Sequence, residues 1–398
     1  MNSSKLWTKD FIIITVTNVF IALNFYLLLV ITSVFAMENF NVSPGLGGLA
    51  SGIFVIGALI SRLIAGKYIE RIGRKKTLYI GLILGLIMIL MYFKINGFIE
   101  LIIIRFLHGL SYGISSTATS TIASSTVPKS KRGEGIGYFM LSTTLATAIG
   151  PFLGTILSLN GDYTYIFILC SVTAVISFIA AFFLNIQELT LTYEEKQSMR
   201  GIKFSNFFEV KSLTISIICG LFYFCYSTVF SFINTYAKSL NLIKESSFFF
   251  LVIAIVIFLS RPVTGKRFDK KGENSIMYPG FLIFSAGMIF LSSVNNGFML
   301  LAAGAAIGIG VGIIQSGGQT VAVNLAPNHR IGMANSTFFS FLDFGVGAGP
   351  FILGYFIPYT GYRGLYLIMG ISAVFFIFIY HYFHGKNASA NTIEPDSI

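Results

Sequence analysis

The chain has 398 residues, of which 55% are apolar and only 11% are charged, and its mean hydropathy is +0.79. A soluble domain of this size does not have such a composition, so the chain is predicted to be a membrane protein. The net charge of +11 fits contact with anionic lipid headgroups and is no argument for nucleic-acid binding.

Hydrophobic runs of about 18 or more residues, long enough to cross a hydrocarbon core roughly 30 Å thick as helices, recur along the whole chain. Twelve spans are predicted, six before and six after a polar central segment, which predicts an all-α polytopic membrane protein. In chain order they cover approximately 11–36, 46–66, 77–94, 98–124, 135–158, 163–185, 212–238, 245–265, 275–294, 298–324, 332–357 and 362–384.

The spans divide the chain into two bundles joined by a polar segment. We predict an N-terminal six-helix bundle at 1–185 and a C-terminal six-helix bundle at 212–384. The segment 186–211 mixes both signs of charge, as expected for a cytoplasmic, partly helical linker, and 385–398 is a short polar cytoplasmic tail expected to be disordered.

The distribution of lysine and arginine predicts the orientation, because cytoplasmic loops accumulate these residues. With these spans, most of the 27 basic residues lie on the side that holds both termini and the central linker. Arg105 lies within the membrane, and four residues fall on the opposite side: Lys94, Lys238, Lys244 and Arg363. Both termini are therefore expected to be cytoplasmic.

A sequence motif of the first half recurs in the second half, 199 residues later. "SRLIAGKYIERIGRKK" begins at Ser61 and "SRPVTGKRFDKKGENS" begins at Ser260. "RFLHGLSYG" (Arg105–Gly113) aligns with "GAAIGIGVG" (Gly304–Gly312), and the fifth helices carry "AIGPFLG" and "GAGPFILG". Each half is therefore one copy of a repeated six-helix unit, and the first motif joins its second and third helices.

These motifs resemble those of the major facilitator superfamily over essentially the whole length. "GKYIERIGRKKTL" is similar to the signature loop of the family, with Glu70 where aspartate is commoner, and "RFLHG" to its fourth-helix signature, with His108 where glutamine is usual. "AIGPFLG" is similar to the motif of the antiporter, mostly drug-exporting branch. The proline signature of drug exporters is not recognisable in the first helix, "NVFIALNFYLLL".

The repeated loop is expected to form a cytoplasmic gate. The positive N-terminal end of the eleventh helix, preceded by Arg330, would attract Glu70, and Asp269 would meet the fifth helix in the same way. Glycines would permit the tight turn and close approach that this docking needs, whereas the basic residues are alternatively simple membrane anchors. The predicted gate residues are Gly66, Glu70, Arg71, Gly73, Arg74, Gly265, Asp269, Gly272 and Arg330.

The fifth helix of each half carries a glycine-proline motif near the second half of its course. Proline lacks a backbone donor and clashes with the preceding turn, so a bend that opens or seals a pathway is one interpretation. Close helix packing through small residues is the other. The motif residues are Gly150, Pro151 and Gly154, with Gly349, Pro350 and Gly354 in the second half.

The repeat fails at two charges, where chemistry specific to one half is expected. Arg105 corresponds to Gly304, and Asp343 corresponds to Thr144. A charge inside the membrane is costly unless it faces a cavity or a partner, and His108 lies one turn from Arg105 with an intrinsic pKa near neutrality. We predict that Arg105, His108 and Asp343 couple transport to protons; structural hydrogen bonding is the alternative for each.

The resemblance implies a substrate cavity lined by the first, fourth, seventh and tenth helices. Aromatic faces with a few amides suit bulky, amphipathic or cationic compounds. Most of the 41 phenylalanines and 19 tyrosines of such a protein face lipid. The candidates are Asn18, Asn24 and Tyr26 in the first helix, Tyr223, Tyr226 and Asn234 in the seventh, and Gln315 and Gln319 in the tenth.

Other classes of function lack the residues they need. An enzyme would need clustered nucleophiles, paired carboxylates or metal ligands, and the four histidines show no such spacing. No filter-like segment suggests a channel, and no GxxxxGK[ST] loop suggests an ATP-driven pump. No cofactor or metal is expected, and the proton gradient would supply the energy.

We therefore expect a proton-coupled exporter of drugs or small amphipathic metabolites that works by alternating access. A nutrient importer and a transport-inactive membrane sensor are the alternatives. The expected partners are a small-molecule substrate, protons and the lipid bilayer, and the family is usually monomeric. A composition heavy in Ile, Lys, Asn and Phe hints at a multi-pass protein of a bacterial plasma membrane.

Overall fold

A computed structural model describes residues 5–158 and 161–388. These residues form helices and loops, and within them twelve helices are long and apolar enough to cross a membrane. The predicted all-α fold with twelve spans is confirmed. The first six are α1 Lys9–Phe40, α2 Pro44–Ile72, α3 Arg74–Met91, α4 Phe98–Thr126, α5 Arg132–Ser158 and α6 Thr164–Phe182.

The six helices that follow the linker repeat this order. They are α7 Val210–Ser239, α8 Ile243–Lys271, α9 Asn274–Ser292, α10 Gly297–Leu325, α11 Ile331–Gly354 and α12 Ile357–Tyr380. At Gly361 the backbone of α12 leaves the helical region, with φ of 61°. A π-helical turn, His381–Gly385, and a last turn, Lys386–Ala388, carry the helix beyond the predicted span end at 384. The rest of the predicted tail, 389–398, lies outside the described residues.

Local chemistry explains how the first two helices begin and end. The Thr8 hydroxyl accepts a hydrogen bond from the backbone N–H of Phe11 at 3.2 Å and so caps the start of α1. Asn41, with φ of 51°, ends α1 in the left-handed conformation. Ser43 is the N-cap of α2, and Pro44 is its first residue, where a missing N–H costs nothing.

The helices form two compact units that exchange two short segments. Unit one comprises Met1–Pro128, Ser142–Glu209 and Ala326–Ser340, and unit two comprises Lys129–Leu141, Val210–Leu325 and Phe341–Ile398. Each unit therefore contains most of one predicted six-helix bundle, together with the beginning of α5 or α11 from the other. The linker from 186 to Glu209 belongs to unit one.

In unit one, α2 packs directly against α4 through glycines. A Cβ on Gly109 would lie 3.0 Å from the Cα of Phe54, and a Cβ on Gly113 would lie 3.0 Å from the backbone nitrogen of Arg62. Only residues without a side chain allow the two backbones to approach so closely. These contacts hold the polar residues of α4 against α2.

In unit two, the corresponding glycines of α10 pack against α8. A Cβ on Gly308 would lie 3.0 Å from the Cα of Ile253, and a Cβ on Gly312 would lie 3.1 Å from the side chain of Ile257. The glycine pattern "GIGVG" therefore has the same packing role as "GLSYG" in the first half.

The linker is partly helical, with one short helix at Tyr193–Ser198 and a 3-10 turn at Phe204–Asn206. The short helix begins with a capping box, in which Thr192 and Glu195 exchange hydrogen bonds. The Thr192 backbone N–H and the neighbouring His329 lower the pKa of the Glu195 carboxyl below its ordinary value. The linker also contacts α2, because the Lys67 ammonium donates to the Gly201 carbonyl at 2.6 Å.

Candidate functional site

Asp269, near the end of α8, lies at the first turn of α5 in unit two. Its carboxylate accepts hydrogen bonds from the backbone N–H groups of Gly133 at 2.7 Å and Glu134 at 2.9 Å. These N–H groups have no partner inside their own helix, and a carboxylate at a helix N-terminus also interacts favourably with the helix dipole. Asp269 thus connects the end of α8 to the start of α5. In each unit, we call the end of the helices where the loop between α2 and α3, or between α8 and α9, lies the loop side.

Two glycines make this contact possible. A Cβ on Gly265 would lie 2.6 Å from the Cα of Glu134, and a Cβ on Gly133 would lie 2.8 Å from the Cβ of Phe268. Real Cβ atoms do not approach other atoms so closely, so any larger residue would separate the helices. Gly265 is one of the predicted gate residues, and Gly133 was not singled out in the sequence.

In unit one, Glu70 and Arg330 bind different partners rather than each other. The buried Glu70 carboxylate accepts from Arg74 Nε at 3.0 Å and from Arg74 Nη2 at 2.8 Å. Arg330 instead forms an ion pair with Glu209 and donates to the Ser205 carbonyl at 2.6 Å. Glu70 therefore anchors Arg74 within its own loop, and Arg330 fastens the end of the linker to the start of α11.

The close approach of α2 to α11 is made by Gly66 in unit one. A Cβ on Gly66 would lie 2.6 Å from the Ser336 hydroxyl and 3.2 Å from the Gly332 carbonyl oxygen. The Ser336 hydroxyl also donates to the carbonyl of Arg62 at 2.7 Å. This contact corresponds in the repeat to the one between Gly265 and the beginning of α5.

Gly73 and Gly272 end α2 and α8 in equivalent ways. Both have positive φ, 101° and 74°, and each donates its N–H at 2.9 Å to a carbonyl of the last helical turn, that of Ile69 or Phe268. Residues with a Cβ rarely adopt this backbone conformation. Arg71, two residues before Gly73, is exposed, and its guanidinium carbon lies 5.8 Å from the centroid of the Tyr68 ring.

Glu188 of the linker caps the start of α3, a contact that the sequence did not reveal. Its carboxylate accepts from the backbone N–H of Arg74 at 2.7 Å and from that of Lys75 at 2.9 Å. The linker is thereby attached to the loop between α2 and α3. An acidic residue in a polar linker was the only available signal, and its target could not be inferred without the fold.

We expect Glu188→Ala to lower the thermal unfolding temperature of the purified protein by a few degrees, corresponding to about 1 kcal/mol, because two N–H groups lose their cap. Glu194→Ala is the matched control, since Glu194 is an exposed linker residue at the start of the short helix. Equal unfolding temperatures for the two variants would contradict a capping role for Glu188. The unfolding temperature is measured in one detergent at one protein concentration.

Arg105 is fully buried on α4 and is connected to His108 through a tyrosine. Its guanidinium donates to the Ala50 carbonyl at 3.2 Å and to the Tyr92 hydroxyl at 3.4 Å. The same hydroxyl lies 3.3 Å from Nδ1 of His108, and the Phe54 ring lies below the guanidinium, 4.6 Å from its carbon. The structure therefore brings two of the predicted coupling residues together and adds Tyr92 between them.

A small cavity in unit one lies next to this cluster. Its volume is about 30 Å³, room for a water molecule, and His108, Ser111 and Asn24 are among its lining residues. A water in this cavity would reach the imidazole from the side of α1 and α3.

Asp343, the third predicted coupling residue, lies half-buried in the middle of α11, in unit two. Its repeat counterpart Thr144 lies in unit one and is buried. The structure therefore assigns Asp343 to a different compact unit from Arg105 and His108.

The glycine-proline motifs lie at close helix contacts within each unit. A Cβ on Gly150 would lie 3.0 Å from the backbone nitrogen of Leu27 on α1, and a Cβ on Gly349 would lie 2.9 Å from the Phe224 carbonyl oxygen on α7. Gly154 also faces Leu27, and Gly354 faces the ring of Phe232. Both prolines, Pro151 and Pro350, lie inside helices that continue past them. The contacts of the glycines are those expected from close helix packing through small residues.

Two first-helix amides that were predicted to line the substrate cavity make hydrogen bonds within unit one. Asn18 donates to the Ser142 hydroxyl at 2.7 Å and accepts from Thr119 at the same distance. Asn24 accepts from the Thr173 hydroxyl at 2.8 Å. Tyr26 is half-buried, with its Cβ against Gly150. The two amides therefore join α1 to α4, α5 and α6.

The predicted substrate-cavity residues of unit two differ in their exposure to solvent. Tyr223 and Tyr226 are buried and contact each other edge to face, with ring centroids 5.8 Å apart. Gln319 is buried, Gln315 is half-buried and Asn234 is exposed.

Two arginines that the charge pattern had assigned to the loop side are in fact buried on helices. Arg62 on α2 and Arg261 on α8 are each only 2% exposed. They occupy equivalent positions in the repeat, as the first arginine of the two repeated motifs that begin at Ser61 and Ser260.

Within the described residues, no group of three or more His, Cys, Asp or Glu side chains is arranged to hold a metal ion.

Comparison with known proteins agrees with this architecture. A family model described as Major Facilitator Superfamily matches residues 14–296 and 275–395. Multidrug resistance protein 2 of Bacillus subtilis is 27% identical over 311 residues, 73% of this chain and 74% of the relative. Staphylopine export protein of Staphylococcus aureus is 22% identical over 339 residues, 82% of this chain and 84% of the relative.

A solved structure shares the fold. The human organic anion transporter MFSD10 (TETRAN) superposes with a TM-score of 0.72, covering 93% of this chain and 98% of that chain, at 15% sequence identity. At this identity the likeness concerns the arrangement of helices only.

Proposed function

Because the chain belongs to the Major Facilitator Superfamily, we propose that it is a proton-coupled secondary transporter that exports drugs or small amphipathic metabolites. The observation that carries this proposal is the buried cluster of Arg105, Tyr92 and His108 on membrane helices. A group that gains and loses a proton inside the membrane is what proton coupling requires, and an adjacent cation would bias its proton occupancy.

The contacts on the loop side support alternating access. Asp269 with the first turn of α5, and Gly66 with the first turns of α11, join helices that belong to different halves of the repeat. Such contacts must break for the loop side to open, and we propose that protonation of Asp343 or His108 determines when they do. Export is favoured because relatives are named for drug resistance and for export. We propose the plasma membrane of a bacterium as its location.

The test is transport of ethidium in proteoliposomes with an imposed proton gradient. We expect dye movement that needs the gradient, and we expect Asp343→Asn to reduce it at least tenfold, because an amide cannot exchange a proton at this site. A variant at an exposed residue of the seventh helix that is not a cavity candidate, Ser231→Ala, is the control and should keep the wild-type rate. Movement of dye without the gradient, or no movement at all by the intact protein, would rule out the proton-driven multidrug exporter.

A further inference from the structure

Arg261 lies inside the membrane helix α8, eight residues before Asp269. At a rise of about 1.5 Å per residue, this places it ~12 Å from the loop-side contact. Its side chain is only 2% exposed. A guanidinium at this depth is always charged, so it requires compensation from partners.

The protein supplies only part of that compensation. Nη1 donates to the Gly312 carbonyl at 2.8 Å and to the Ser316 hydroxyl, both on α10. Nε and Nη2 are buried, and neither has a hydrogen-bond partner within the described residues. Three of the five N–H groups are therefore left without an acceptor.

Arg261 has no ion-pair partner among the residues that the structure describes. Tyr223 on α7 is its electrostatic neighbour. A buried cation without a counter-ion is strongly destabilising relative to a paired one. Such a group persists where a ligand provides the missing partner.

The equivalent arginine of the first half is compensated differently. The Arg62 guanidinium carbon lies 5.2 Å from the centroid of the Phe339 ring and 5.9 Å from that of Tyr112. Aromatic faces attract a cation. Within the described residues, Nε of Arg62 is also buried without a hydrogen-bond partner, whereas Arg261 leaves both Nε and Nη2 without one. The repeat therefore provides a matched pair that differs in the rings around the guanidinium and in the donors left over.

Access to Arg261 is coupled to the contact at Asp269. Gly137, on the exchanged segment of α5, lies against the Arg261 stem, since a Cβ there would be 3.7 Å from Cδ. The same segment holds the N–H groups that Asp269 accepts from. If this segment separated from α8, the cover over Arg261 would leave with it, and Arg261 would become reachable from the loop between α8 and α9.

We propose that Arg261 binds the anionic group of the transported substrate, a carboxylate, sulfonate or phosphate on an amphipathic body. Nε and Nη2 face one way and form the fork that binds such groups through two parallel hydrogen bonds. The substrate would enter when the loop side is open. This inference rests on the proposed transport function and adds anionic amphiphiles to the compounds, such as ethidium, that the transporter is expected to export.

The test compares two dyes that differ by one anionic group, 1-anilinonaphthalene-8-sulfonate and its uncharged parent N-phenyl-1-naphthylamine. Their binding to the full chain in lipid nanodiscs is measured by fluorescence, with empty nanodiscs as background. We expect the sulfonate to bind at least tenfold more tightly than the parent. Arg261→Gln should remove this difference, Arg261→Lys should retain part of it, and Arg62→Gln should leave it unchanged.

Ethidium efflux under a proton gradient is measured in parallel, because ethidium has no anionic group. Arg261→Gln should not reduce it, which also shows that the variant is folded. A preference for the sulfonate that persists in Arg261→Gln, or that is lost equally in Arg62→Gln, overturns the assignment of Arg261. Failure of the wild type to transport ethidium overturns the exporter proposal alone, since the binding measurement needs no gradient.

Discussion

Gly66→Leu is expected to reduce gradient-driven efflux to the level of protein-free liposomes. A side chain at this position would occupy the space of the Ser336 hydroxyl and the Gly332 carbonyl. Overpacking of this kind costs about 1–3 kcal/mol or more, and here it can be relieved by separating α2 from α11. The contact that closes the loop side would then no longer form.

The same helix offers a matched control. Gly52 of α2 has open space where a Cβ would be, so Gly52→Leu should transport at the wild-type rate. A cysteine placed at Ser124, which is buried beside Asn335 of α11, reports on the contact. In Gly66→Leu it should react with a maleimide at least tenfold faster than in Gly52→Leu. Equal reactivity together with normal transport would mean that the close approach has no role in transport.

The sequence predicts the membrane helices well because their signal is long and uniform. The predicted span 77–94, for example, differs by only three residues at each end from the helix Arg74–Met91. Bilayer thickness sets a minimum length for each apolar run, and the glycines at 73 and 272 mark where two helices end. These are local features that need no knowledge of the fold.

The partners of charged residues could not be predicted in the same way. Glu70 had two basic candidates, Arg74 one turn away and Arg330 far along the chain, and the structure pairs it with Arg74. A helix dipole attracts a carboxylate of either loop equally, so the sequence cannot tell that Asp269 reaches a helix N-terminus directly whereas Glu70 binds Arg74. Glu188 and Glu209, which bind backbone or arginine at the loop side, carry no distinguishing pattern at all.

Burial of polar residues was also beyond the sequence. Asn18 and Asn24 are amides on an apolar helix whether they face a substrate or a neighbouring helix, and the hydrogen bonds that they make within unit one could not be inferred without the fold. Arg62 and Arg261 lie near the predicted ends of their spans, at 66 and 265, where an arginine normally extends to the membrane surface. Their helices continue beyond these points, to Ile72 and Lys271, and both arginines are buried within their units.

Arg105→Ala is expected to abolish efflux driven by a proton gradient. The substitution removes a buried cation together with its hydrogen bonds to Ala50, Ser51 and Tyr92. Arg105→Lys should recover little, because a single ammonium cannot reproduce the planar fork that reaches both the α2 carbonyls and the Tyr92 hydroxyl. Lys94→Ala, at an exposed basic residue of the same half, should transport at the wild-type rate.

Tyr92→Phe separates a role in coupling from a role in structure. It keeps the aromatic ring in the packing and removes only the hydroxyl between Arg105 and His108. If the cluster couples protons, this variant should still bind dye, but efflux should lose its dependence on the gradient. Efflux that is slower by the same factor with and without a gradient would show that the cluster only stabilises α4 against α2 and α3. The comparison needs substrate binding and the pH dependence of efflux to be measured on the same preparation.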